Sequence, residues 1–188
     1  MRGESRQIKE VFPITRHFII PIYQRRYSWK KVQCERLFDD IEDACRNHRS
    51  HFIGCIITVS ECVMGDYLVI DGQQRITTIS LLLKAFYDLL KKGELATSDE
   101  ELADEIRDDF LKLRRGGTDQ ERIRLNLLNE DKDEYFQLFD DDRALSEDSA
   151  IHANYNYSYD VTSVKYKFLP LFLLACHVIM YFQALQAD

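Results

Sequence analysis

Apolar positions change period repeatedly along the chain, and each change marks an element. "FIIPIYQRRYSW" (Phe18 to Trp29) opens on a β-branched run, stops at Pro21 and leads through Ser28, a residue suited to capping, into a helical stretch. Val32, Leu37, Ile41 and Cys45 roughly share one face of that stretch, so a strand, a loop and a helix are expected. "HFIGCIITVSE" (His51 to Glu61) is rich in β-branched residues and reads as a strand, with Gly54 marking a bulge or a close backbone approach. "GDYLVID" (Gly65 to Asp71) is close enough to pair with it as a hairpin. Ile76, Ile79, Leu82, Leu83 and Phe86 then recur at helical spacing, and Gly93 offers a stop.

Beyond Glu94 the character shifts. "ELATSDEELADEIRDDFLKL" is acidic and helical, "RRGGTDQ" is a loop, "RIRLNLL" alternates as an edge strand does, and "KDEYFQLF" begins another helix. "FDDDRALSEDSA" (Phe139 to Ala150) reads as a solvated acidic loop. "FLPLFLLACHVIMYF" (Phe168 to Phe182) is shorter than the ~20 apolar residues of a spanning helix and contains Pro170 and His177. A buried or partner-facing helix is therefore expected there, not a membrane anchor. Such a helix, apolar on nearly all sides, would need a packing partner, and a homo-dimer is the simplest one. No internal repeat is visible, and the pattern divides into residues 1–93 and a mostly helical extension, residues 94–188.

Composition narrows the function classes. The chain of 188 residues is 45% hydrophobic and carries a formal net charge of −7, so it is neither disordered nor a uniformly basic nucleic-acid coat. Any contact with polyanions must be local. Five cysteines, with no C-x-x-C pair, signal neither a disulfide framework nor a zinc ribbon, and a reducing cytoplasm is expected. "MRGESRQIKEVF" has no apolar core of the kind a secretory signal carries.

The chemistry concentrates at "YLVIDGQQRITTISLLLKAF" (Tyr67 to Phe86). Asp71, Gly72, Gln73, Gln74 and Arg75 lie between a strand-like and a helix-like run, where helical N–H groups lack partners and the dipole is positive. That is an anion site. Gly72 permits a sharp turn or a close ligand, the two glutamine amides offer donors and acceptors, and Arg75 offers a fork for phosphate. Thr77 and Thr78 add hydroxyls for a nucleotide, or merely cap. The competing reading makes Asp71 an N-cap, Gly72 a turn residue and Gln-Gln-Arg a wet first turn. A second cluster, Gln24, Arg25 and Arg26 among Tyr23, Tyr27 and Trp29, has the residue types that hold a phosphate and stack a base, or else covers the core.

Together "IPIYQRRYSWKKVQCERLFDDIEDA", "HFIGCIITV" and "VIDGQQRITTISLLL" resemble, in order and spacing, the N-terminal domain of GmrSD-type modification-dependent restriction proteins, whose hallmark is Asp-Gly-Gln-Gln-Arg. The resemblance covers roughly Phe12 to Leu90, with "RIRLNLLNEDKDEYFQLF" and "NYNYSYD" as weaker continuations. It implies an α+β fold: a small mixed sheet with flanking helices, as in the ParB/sulfiredoxin superfamily, followed by the mostly helical part. It also implies nucleotide binding and hydrolysis, coupled to recognition and cutting of modified foreign DNA. The positions it implies are Asp71, Gly72, Gln73, Gln74 and Arg75, supported by Gln24 and Arg25. A His-Asn-His nuclease domain completes such systems, and Glu94 to Asp188 holds no such ββα pattern, so that domain is expected as a partner.

The roles follow from side-chain chemistry. A Walker-type P-loop is absent, so a triphosphate would rest on the helix start after Gly72. Arg75 and Arg25 would neutralise its charge, and Mg²⁺ or another divalent cation would bridge the phosphates at Asp71. Gln73 or Gln74 would orient water. Two alternatives stay open: a metal-dependent nuclease with Asp66 and Asp71 as ligands, and a non-enzymatic module that senses DNA or nucleotide. His48 and His51, a helical turn apart, lack a third ligand and are expected to be surface or junction residues.

Overall fold

The computed structural model describes residues 4–7, 12, 17–47, 51–60, 66–95, 97, 99–113, 117–118, 123–140, 145–146, 148–165 and 178–186. It is an α+β fold. Strands β1 (Glu4–Gln7), β2 (Phe18–Ile19), β3 (His51–Ser60), β4 (Tyr67–Asp71), β5 (Leu125–Asn126) and β6 (Val178–Gln186) form a mixed sheet in the order β1-β6-β3-β4-β2-β5. Around it lie helices α1 (Lys31–Arg46), α2 (Gln73–Lys91), α3 (Leu102–Ile106), α4 (Asn129–Gln137) and α5 (Ala150–Lys165), with α3 running into a wider π-type turn at Arg107–Leu111.

β3 and β4 pair antiparallel, with Ser60 opposite Tyr67, as the short connection requires. Gly54 does mark a bulge: its φ is +108°, and the β3–β6 register shifts between Phe52 and Cys55. β4, β2 and β5 run parallel to one another, so the segments leaving their C-terminal ends emerge on one side of the sheet. Those segments are the start of α2, the loop Ile20–Lys30 and the start of α4. Ligands of parallel sheets bind at such ends.

Helix α2 is the spine of the core. Ile76, Ile79, Leu81, Leu82, Leu83, Ala85, Phe86 and Leu89 are all buried, because the sheet lies on one side and α5 on another. It ends in a Schellman motif: Glu94 N–H donates to Leu89 O at 2.9 Å and Gly93 N–H to Leu90 O at 3.0 Å, with Gly93 at φ +70°. Two of its charged groups are enclosed and paired with each other. Lys84 Nζ meets Asp88 Oδ1 at 2.5 Å, and Tyr155 of α5 donates to Asp88 Oδ2 at 2.5 Å. The helix thus carries a buried ion pair whose remaining acceptor capacity is met from α5.

Several expectations are corrected. The buried face of α1 is Cys34, Leu37, Phe38, Ile41 and Ala44, while Val32 is 64% exposed. Ser28 does not cap α1. Lys30 O accepts Cys34 N–H, and the Gln33 side chain returns to Lys30 N–H at 2.9 Å, half of a capping box set two residues later. The end of the segment expected as an apolar helix, from Val178 to Phe182, lies in strand β6 (Val178–Gln186). Its parallel ladder with β3 runs from His51↔Val178 to Ser60↔Gln186, and β1 pairs on its other side. Residues 168–177 of that segment, and much of the acidic loop at 139–150, lie outside the described residues. The parts divided at residue 93 by the sequence pattern share one sheet and one continuous core, from Phe12 and Phe18 to Ile151 and Tyr155. Among the described residues, no helix is long and apolar enough to cross a membrane.

Candidate functional site

The loop after β2 and the start of α2 enclose a cleft of about 160 Å³ lined by Gln24, Arg25, Trp29, Asp71, Gly72, Gln73, Gln74 and Arg75. The two polar clusters of the sequence therefore meet at one place. Gly72 makes the meeting possible. Its φ of +92° is left-handed, and a Cβ there would stand 2.8 Å from Ile56 Cγ1 and 2.9 Å from Cys55 O. The glycine serves close packing of the helix start on β3 and permits the turn.

No side chain caps α2. Its first intrahelical bond runs from Ile76 N–H to Gly72 O at 3.1 Å, so the N–H groups of Gln73, Gln74 and Arg75 precede the ladder. These groups, with the positive end of a 19-residue helix, are of the kind that favour negative charge.

The glutamines are fasteners as much as lining. Gln74 Oε1 accepts Ser28 N–H at 2.8 Å and Trp29 N–H at 3.2 Å, while its Nε2 donates to Arg26 O at 3.2 Å. Gln73 Nε2 donates to Arg25 O at 2.7 Å, and Gln24 Nε2 crosses back to Ile70 O at 2.7 Å. Five hydrogen bonds from three amides thus bind the loop to the strand-helix junction. Gln74 spends both ends of its amide on the loop backbone, whereas Gln73 and Gln24 use only their NH₂ groups in these contacts.

The arginines divide their tasks. Arg26 is drawn away from the cleft, its Nε donating to Asp131 Oδ1 at 3.0 Å. Arg75 lies across the Gly54 bulge, where a Cβ would stand 2.9 Å from its Nε, and its Nη1 donates to Cys55 O at 2.8 Å. Arg25 is exposed, lines the cleft and makes no side-chain bond to another described residue. Asp71, also exposed, is the carboxylate of the lining.

Other expectations about the site are revised by burial. Thr77 and Thr78 are 1% and 0% exposed and do not line the cleft, because the fifth and sixth positions of α2 turn into the core. Thr78 Oγ1 donates to Gln74 O at 2.9 Å and meets Tyr27 OH at 2.8 Å. Tyr27 is buried, and desolvation pushes its phenol far above the usual tyrosine range, with the neighbouring Cys34 adding to the shift. Tyr23 is 69% exposed, so of the three aromatics only Trp29 walls the cleft. Asp66 and Asp71 bracket β4, roughly 16 Å apart at ~3.3 Å per residue, too far to share a metal ion. Asp66 instead pairs with His17 Nδ1 at 3.0 Å. The described residues contain no group of three His, Cys, Asp or Glu that could hold a metal, and His48 lies outside them.

Two residues of the site's frame carry no sequence motif. Asp131, in the first turn of α4, accepts Tyr27 N–H at 2.6 Å as well as Arg26. Asn154 of α5 donates to Trp29 O at 2.7 Å. Behind them His152, fully buried, accepts Ser146 N–H through Nδ1 and reaches Glu134 O through Nε2, a pairing that joins α5 to α4. An Asp in the first turn of a helix and an Asn within one were the available signals, and both occur too often to single out a site.

Residues 7–184 match the family described as the GmrSD restriction endonuclease, N-terminal domain. No curated protein matches the chain. The match spans nearly the whole chain and extends well past the Phe12 to Leu90 stretch whose motifs are recognisable by eye. The chain belongs to the family of GmrSD restriction endonuclease N-terminal domains, and its Asp-Gly-Gln-Gln-Arg run forms the floor of the cleft.

Proposed function

We propose that the cleft binds the phosphates of a nucleoside triphosphate and hydrolyses it, and that this serves a system restricting modified foreign DNA. One observation supports the reading above the others: a helix N-terminus without a side-chain cap opens into a cleft that also holds Arg25, a guanidinium unbonded to other described residues, and Arg75. Backbone N–H groups and guanidinium forks are what phosphate oxygens require. At about 160 Å³ the cleft is smaller than the ~300–1,000 Å³ that enclose a whole drug-sized ligand. It would take the phosphates and leave the nucleoside at its mouth, beside Trp29.

Mg²⁺ suits this lining, since it commonly takes one or two carboxylates and completes its shell with water and phosphate, and Asp71 is placed to be that carboxylate. When bound it would neutralise phosphate charge. Arg25 and Arg75 then hold the phosphate oxygens, and the α2 N–H groups orient them. Gln73, whose Oε1 is not used on the loop, is the better candidate to align water; Gln74 is committed to the frame. A non-enzymatic nucleotide sensor is the second reading, favoured by the use of both Gln74 ends for structure.

The test is phosphate release and equilibrium binding with Mg·ATP and Mg·GTP, comparing wild type with Arg25→Ala. Loss of a charge-assisted phosphate contact, ~1.5–3 kcal/mol, predicts affinity weaker by roughly ten- to a hundredfold in a protein of unchanged stability. Unchanged affinity in Arg25→Ala would remove the assignment. Binding without turnover would favour the sensor.

A further inference from the structure

Helix α5 touches the frame of the cleft through one enclosed amide. Asn154 is 2% exposed, and its Nδ2 forks between Trp29 O at 2.7 Å and Tyr27 OH at 3.1 Å. The Trp29 N–H on the other side of the same residue goes to Gln74 Oε1 of α2. Trp29 is therefore gripped at both backbone groups, from two different helices. The grip is cross-braced, because Tyr27 OH also meets Thr78, which returns to Gln74 O. Ser158 Oγ donates to the Asn154 carbonyl at 2.7 Å, and both residues face the core.

A merely space-filling role would not need this residue type. An asparagine inside a helix costs helix propensity relative to Ala or Leu, and a buried amide costs more unless its donors are met. Both donors here are met, and both acceptors belong to the loop that walls the cleft.

We propose that Asn154 is a positioning residue for the cleft. It touches no ligand, and it fixes the Trp29 wall so that a nucleotide meets a preset surface and not a loop that must first be ordered. In naming a nucleotide, this rests on the function proposed above. Ordering a loop at the moment of binding weakens affinity, so the effect belongs in binding more than in turnover at saturation.

The chain has a single tryptophan, so the indole at the cleft reports its own mobility. The experiment compares wild type, Asn154→Leu, which keeps the volume without the donors, and Tyr27→Phe, which removes a hydroxyl of the same network but leaves Trp29 O bonded. Stability, Trp29 emission and anisotropy without ligand, and Mg·ATP and Mg·GTP affinity and turnover are measured on each. Expected for Asn154→Leu are red-shifted emission, lower anisotropy, and affinity about five- to tenfold weaker, as one lost hydrogen bond supplies, with saturated turnover within about twofold. Tyr27→Phe, which weakens the brace but leaves Trp29 O bonded to Asn154, is expected to lose stability with a smaller change in Trp29 anisotropy and affinity than Asn154→Leu. If Asn154→Leu does not fold, Asn154→Ser, too short to reach Trp29 O, replaces it. A folded variant with wild-type Trp29 anisotropy overturns the proposal, as does one with wild-type affinity. Should wild type bind neither nucleotide, the functional reading fails on its own, and the anisotropy still decides whether Asn154 holds Trp29.

Discussion

Gly72→Ala and Gly93→Ala together test why the helix start is built as it is. Both glycines have positive φ, +92° and +70°, so an alanine at either site meets left-handed strain of ~1–2 kcal/mol. Their surroundings differ. A Cβ on Gly93 meets nothing within 4 Å, whereas one on Gly72 meets Ile56 Cγ1 at 2.8 Å and Cys55 O at 2.9 Å. The isoleucine tip can rotate, but Cys55 O belongs to the backbone of an interior strand and also accepts the Arg75 guanidinium. Relieving that contact moves either the strand or the helix start, a cost of the overpacking kind, ~1–3 kcal/mol. Alanine also narrows the unfolded ensemble equally in both variants, by ~0.4–1 kcal/mol, so that contribution cancels in the comparison. Gly72→Ala should thus be less stable than Gly93→Ala by ~1–3 kcal/mol. At ~2–4 °C per kcal/mol for a chain of this size, the thermal midpoints would differ by roughly 2–12 °C. Urea unfolding with a shared slope measures the difference directly. Equal midpoints would refute the close packing of Gly72 on β3.

Two further outcomes follow from the same frame. Gln74→Leu strands Ser28 N–H, Trp29 N–H and Arg26 O in a partly buried loop, and should cost ~2–4 kcal/mol, while Gln74→Glu, which keeps the acceptor, should cost less; equal urea midpoints for Leu and wild type would show that the amide does not hold the loop. Deleting residues after Lys167 removes β6 from between β1 and β3, so circular dichroism should show loss of the cooperative transition and light scattering should show aggregation through the bared β3 edge; a monomeric, cooperatively folding fragment would contradict the sheet order.

What the sequence disclosed, and what it hid, divides by distance along the chain. β3, β4, α2 and its Gly93 stop were legible because their signals are local: β-branched runs, a hairpin-length gap and a 3.6-residue period. Gly54 was legible for the same reason, since a glycine inside a strand has few other uses. The convergence of Gln24 and Arg25 on Asp71 to Arg75 was only suggested by residue type; it depends on the parallel pairing of β2 with β4, which no short window contains. Asp131 and Asn154 were invisible, their partners being 104 and 125 positions away. The misreading of Val178 to Phe182 has a plain cause. A short, continuously apolar run fits a strand paired on both edges as well as a buried helix, and periodicity alone does not separate the two. Thr77 and Thr78 were misplaced for a related reason, since hydroxyls near a helix start suggest a ligand, yet the fifth and sixth positions here face the core.

The most direct test is where a nucleotide acts on the molecule. Amide and indole shifts of the labelled protein, followed during titration with Mg·ATP and Mg·GTP, would place the ligand residue by residue. Saturable shifts are expected at Gly72, Gln73, Gln74, Arg75, Gln24, Arg25 and the Trp29 indole N–H, absent in Arg25→Ala at the same concentrations. Shifts confined to another face, or none at all at millimolar nucleotide, would contradict a nucleotide site in the cleft.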